Sequence, residues 1–89
     1  MVRKDLEIVN KLGLHARAAA KLVTCATGFN CVIEVERHGQ RVNCKSIMGI
    51  MMLGAGRGAW ITVEASGAEE ESALAAITEL VGNYFGEGE

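Results

Sequence analysis

The segment CVIEVERHGQRVN, Cys31 to Asn43, decides how the rest of the chain is read. Cys31, Ile33 and Val35 share one side of a period of two and Val32, Glu34 and Glu36 the other, the pattern of a strand with one buried face. Only His38 and Gly39 separate this strand from Gln40 to Asn43, so the two runs form a hairpin with a short second strand. His38 reads most simply as a turn residue. A hairpin with one polar side belongs to an antiparallel sheet that faces solvent.

Two more strands flank it. Val2 to Val9 alternates loosely, with Leu6 and Ile8 opposed to Asp5 and Glu7, and AWITVEA carries the β-branched Ile61, Thr62 and Val63 after a run loosened by Gly54, Gly56 and Gly58. Between the strands lie three helical patterns. From Ala16 to Thr27 the apolar positions Ala19, Leu22, Val23 and Ala26 form one stripe, and Gly28 supplies a left-handed stop from which Phe29 folds back. SIMGIMML reads as a short helix with Ser46 as its N-cap and Gly54 past its end. The last helix opens with Ser66 and Glu69 as a capping box and buries Ala73, Leu74, Ile77, Leu80, Val81 and Tyr84. The order is βαββαβα, a two-layer α/β (α+β) arrangement with helices covering one face of an antiparallel sheet.

With 89 residues there is room for one domain, residues 1–89, and for a surface site rather than a deep cleft. A formal charge of −2 lacks the positive field that nucleic-acid binders need. The N-terminus mixes Arg3, Lys4, Asp5 and Glu7, and the longest uncharged runs are too short to span a bilayer, so no membrane association and a cytoplasmic location are expected. Cys25, Cys31 and Cys44 form no C-x-x-C pair and read as reduced, mostly buried thiols, with no metal site and no cofactor.

The chemistry concentrates in GLHARAAA, Gly13 to Ala20. His15 stands where unpaired helix amides and the positive end of the dipole point outward, a place that favours an anion. Gly13 allows a sharp turn, the Arg17 guanidinium suits phosphate oxygens, and a neutral imidazole nitrogen is a nucleophile. These features converge on phosphoryl capture on nitrogen, with the group held by Arg17 and by the amides of Ala16 and Arg17. On spacing alone His15 also fits a plain surface residue at a helix start, since H-x-R is short and common.

GLHARAAAKLV, KSIMGIMMLG and GAEEESAL together closely resemble the HPr family, the histidine-containing phosphocarriers of the bacterial phosphoenolpyruvate-dependent phosphotransferase system. The resemblance runs from the first strand to the last helix. It implies an HPr-like open-faced β-sandwich, four antiparallel strands with three helices on one face. It also implies that His15 accepts a phosphoryl group on Nδ1 from phospho-enzyme I and passes it to an enzyme IIA domain, with Arg17 stabilising the transferring charge. On this resemblance the chain is a carrier, not an enzyme. Ser46 would be a regulatory phosphorylation site for an HPr kinase/phosphorylase, and the phosphoserine form would bind a transcriptional regulator. A phosphate at a helix N-cap is tolerated by the dipole, while the residue also fits a plain cap.

Ile47, Met48 and Met51, with Ala20, are expected to form an apolar docking patch beside His15, while Ile50 and Leu53 enter the core. Arg17, Lys21 and Lys45 are the basic residues near that face. Ala18 stands where sugar-transport members of the family usually have proline, which leaves the first helical turn less rigid and adds an N–H. The alanine run also resembles the nitrogen-related branch of the family. Two functions follow: a phosphoryl carrier working as a monomer, or a regulatory binding module governed by the state of Ser46.

Overall fold

The computed structural model describes residues Met1 to Glu89. Its elements are β1 (Val2–Glu7), α1 (Ala16–Thr27), β2 (Cys31–Arg37), β3 (Gln40–Asn43), α2 (Ile47–Met52), β4 (Trp60–Gly67) and α3 (Glu70–Gly82), closed by a 3₁₀ turn at Tyr84–Gly86. The expected order βαββαβα is the observed one. The strands form one sheet in the order β1-β4-β2-β3, antiparallel throughout.

The hairpin follows from its two turn residues. His38 and Gly39 both adopt positive φ, 53° and 79°, the handedness that matches the twist of two antiparallel strands. The register then sets the faces. Ile33 opposes Ala65 and Val35 opposes Val63, all buried, whereas Glu34 opposes Glu64 on the open side. Two facing carboxylates would repel. Arg41 of β3 neutralises them, its guanidinium lying 3.1 Å from Glu34, 3.0 Å from Glu36 and 2.9 Å from Glu64.

The helices cover the other face, which carries Leu6, Ile33, Val35, Ile61, Val63 and Ala65 into one apolar core. α1 contributes Ala18, Ala19, Leu22 and Ala26, and α3 contributes Ala73, Ile77 and Val81. Strand β1 ends at Glu7, short of the expected Val9, yet Ile8 still bonds Ala59 and Gly58 through its backbone and is fully enclosed.

Four local expectations are corrected. Gly28 has φ −75° and closes α1 by a tightened turn to Cys25, so no left-handed stop is used there. Ser66 does not cap α3, because it remains in β4 opposite Val32; Glu69 instead accepts the Asn30 amide and Glu70 that of Gly67. Tyr84 does not extend the buried stripe. The helix stops at Gly82, a reversal with positive φ at Tyr84 and Phe85 follows, and Phe85 takes the buried position. Of the cysteines, Cys44 is buried, while Cys25 and Cys31 are half-buried.

Candidate functional site

The joint between β1 and α1 is built around a glycine. Gly13 has φ +66°, and a Cβ there would lie 2.6 Å from both the Ala55 carbonyl oxygen and the Gly56 Cα. Only glycine lets the two loops come this close. The next amide, that of Leu14, donates to the same Ala55 oxygen at 2.9 Å, and the Leu14 side chain is buried. His15 is thereby delivered to the N-cap of α1, with its carbonyl accepting the Ala19 amide at 2.8 Å.

Its side chain does not cap the helix. The ring turns to the C-terminal segment, where Nε2 lies 2.7 Å from Oε2 of Glu87. The other oxygen of Glu87 accepts from Nδ2 of Asn10 at 3.2 Å, and the same Nδ2 donates to the Gly13 carbonyl at 2.8 Å. Lys21 Nζ donates to the Phe85 carbonyl at 2.7 Å, and the Lys11 amide to that of Glu89 at 3.0 Å. Residues 85 to 89 therefore form a strap over the helix start, anchored below by the buried Phe85 ring.

Burial alone would raise the Glu87 carboxyl, but hydrogen bonds from His15 and Asn10, with the positive charges of His15 and Lys21, hold it below the ordinary carboxylate range. An ionised carboxylate only accepts, so when the ring is neutral its one proton is assigned to Nε2. That leaves the lone pair on Nδ1. Between the strap and α1 is an open depression of about 720 Å³ whose lining includes His15, Ala16, Arg17, Lys11 and Lys21. Arg17 is exposed on this rim, and no ion pair of the structure engages it. Beside it, the amides of Ala16, Arg17 and Ala18 open α1, where no helix carbonyl can accept them.

Ser46 caps α2, its Oγ accepting the Gly49 amide at 3.2 Å. Ile50 and Leu53 are buried, while Ile47, Met48 and Met51 are exposed, together with Met52. Ala20 is half-buried in a separate groove whose lining contains Arg17, Thr24 and Leu80 but no residue of α2. Lys21 and Lys45 are tied down rather than free: Lys45 Nζ donates to the carbonyls of Phe29 and Cys31. Burial raises the Cys25 thiol and, with the neighbouring Cys25, pushes Cys44 up to about 12, so neither is a ready thiolate. No three His, Cys, Asp or Glu side chains converge as metal ligands, and no helix is long and apolar enough to cross a membrane.

Sequence reasoning missed Asn10, Glu87 and Phe85. Glu87 sits in a glycine-flanked acidic tail with no periodicity to mark it, and its partnership with His15 spans 72 positions.

A family model described as the PTS HPr component phosphorylation site matches residues 2–83. The chain belongs to the HPr family. It is 49% identical to the phosphocarrier protein HPr of Cupriavidus necator over 89 residues, all of both chains. Among solved structures, HPr from Thermoanaerobacter tengcongensis matches with a TM-score of 0.95 and 46% identity, covering 98% of each chain. HPr from Bacillus anthracis matches with a TM-score of 0.87 and 44% identity over 90% of this chain and 95% of that one. As an HPr, the protein is a phosphocarrier of the phosphotransferase system, and phosphoryl relay rather than turnover of a substrate of its own is its role.

Proposed function

We propose that His15 is the phosphoryl acceptor, taking the group on Nδ1 from phospho-enzyme I and handing it to an enzyme IIA domain. The His15–Glu87 pair carries this reading, because it leaves the Nδ1 lone pair unprotonated on a ring that lines the open depression. In the transfer, the Nδ1 lone pair forms the N–P bond while the donor's bond to phosphorus breaks and its electron pair returns to the donor. The proton stays on Nε2. The ring gains positive charge opposite a carboxylate, as in acyl-transfer triads, and the reverse sequence passes the group onward. Arg17 and the amides of Ala16 and Arg17 hold the phosphoryl oxygens.

Ile47, Met48 and Met51 form the docking surface for both partners, while Ala20 lies apart from it in the groove beside Arg17; flexible thioethers suit a face that meets more than one protein. The carrier works as a monomer in the cytoplasm. Ser46 is the site of a regulatory kinase/phosphorylase: its Oγ stands at the edge of the methionine patch, so a phosphate there places about two negative charges beside the docking face. The same adjacency supports a second reading, in which the Ser46 state controls docking to a transcriptional regulator and His15 is little used.

Incubation with phosphoenolpyruvate and enzyme I, followed by intact mass and peptide mapping, tests the assignment. An acid-labile phosphate on His15 that is absent from His15→Ala supports the carrier. A protein that stays unmodified beside an active cognate enzyme I moves the regulatory reading to first place.

A further inference from the structure

Asn10 is the one polar side chain of the molecule that is wholly enclosed. Its Nδ2 makes two bonds, to the Gly13 carbonyl and to Oε1 of Glu87, but its Oδ1 is buried without a partner. An unpaired buried acceptor is destabilising, so packing alone would favour an apolar side chain of this size. The carboxamide therefore has to be explained by what its donor touches. One contact is the loop that delivers His15, and the other is the acid that pairs with the ring.

We propose that Asn10 is a positioning residue for phosphoryl transfer, holding Glu87 so that the His15 proton stays on Nε2 and the lone pair on Nδ1. A carboxylate turns about its last bond and presents either oxygen to a partner. Fixing Oε1 on Asn10 leaves Oε2 aimed at the ring, and the second bond to Gly13 ties that orientation to the turn that places His15. No proton then enters or leaves the ring during transfer. The inference rests on the reading of His15 as acceptor, but its test needs no phosphoryl donor.

The measurement is ¹⁵N NMR of the His15 ring at a pH where it is neutral. In the wild-type protein the Nε2–H tautomer dominates. Asn10→Ala lowers the ratio of Nε2–H to Nδ1–H about fivefold, the effect of losing one hydrogen bond of ordinary net strength. In a Glu87→Ala background the same change has no further effect, because Asn10 acts through Glu87. Should Asn10→Ala fail to fold, Glu87→Ala alone provides the test: one Asn10 Nδ2 proton shifts while the one bonded to Gly13 does not. An unchanged tautomer ratio in folded Asn10→Ala, or unmoved Asn10 resonances in Glu87→Ala, overturns the proposal. Phosphate found on a residue other than His15 would instead overturn the carrier reading and leave the tautomer result standing.

Discussion

Glu87 reaches back across 72 residues to place Oε2 2.7 Å from Nε2 of His15. Glu87→Gln keeps the shape of that contact and removes its charge. The rate of phosphorylation by enzyme I should fall about ten- to a hundredfold, the range for a charge-assisted hydrogen bond of about 1.5–3 kcal/mol. KM should change little, because the interaction strengthens as the ring charges in the transition state. Rapid-quench kinetics decide this, and an unaltered rate would remove the carboxylate from the chemistry.

Acid should destabilise the protein through three carboxyls. Glu64 is held below the ordinary value of 4.5 chiefly by its hydrogen bond from Arg41, and Glu70 chiefly by the Gly67 amide. Glu87 is held low against its burial by His15 and Asn10. Each is ionised in the folded protein at pH values where the unfolded chain is already protonated. Their stabilisation is therefore complete above the ordinary carboxylate range and is lost as pH falls through the lowered values. Thermal unfolding between about pH 6 and pH 2 should show Tm falling below the ordinary carboxylate value, with a smaller fall in Glu64→Gln. Parallel curves for the two proteins would exclude Glu64 as a contributor.

Gly13→Ala should be costly, because the new Cβ meets backbone atoms at 2.6 Å and adopts a left-handed φ. A loss of at least about 2 kcal/mol is expected, lowering Tm by about 8 °C or more. Gly54→Ala is the control. It has a comparable φ of +60° but open space, so only the conformational cost of about 1–2 kcal/mol applies. Equal losses in the two variants would mean that the contact with Ala55 and Gly56 does not matter.

Met48 is 74% exposed, whereas Ile50 two residues later is buried. Met48→Glu should raise KM for enzyme I several-fold while leaving stability within about 0.5 kcal/mol, the usual range for an exposed position. Ile50→Ala should do the reverse and cost about 2–5 kcal/mol. Phosphorylation kinetics and calorimetry on the two proteins separate docking from packing; a Met48→Glu protein with wild-type KM would move the docking surface elsewhere.

The four strands, the three helices and the place of His15 are legible in the sequence, because alternation and the 3.6-residue stripe are written in neighbouring residues. What is not legible depends on residues far apart. Ser66 has the look of a cap but is claimed by pairing with Val32, and Tyr84 continues a helical stripe that the reversal at Asn83 to Phe85 cuts off. Lys21 and Lys45 read as basic residues near the docking face, yet backbone carbonyls brought near by folding take both. Asn10 and Glu87 carry no local signal at all. They become a unit only when the strap closes over α1.

Order of synthesis gives that strap a temporal meaning. A ribosome adding about 5–20 residues per second makes His15 roughly 4 to 14 s before Glu87. Throughout that interval the imidazole has no Glu87 carboxylate to fix its proton, so under the proposed function the nitrogen that would take the phosphoryl group is not yet chosen. A chain broken off before residue 85 would lack both the Phe85 ring that fills the core and the acid that faces its histidine.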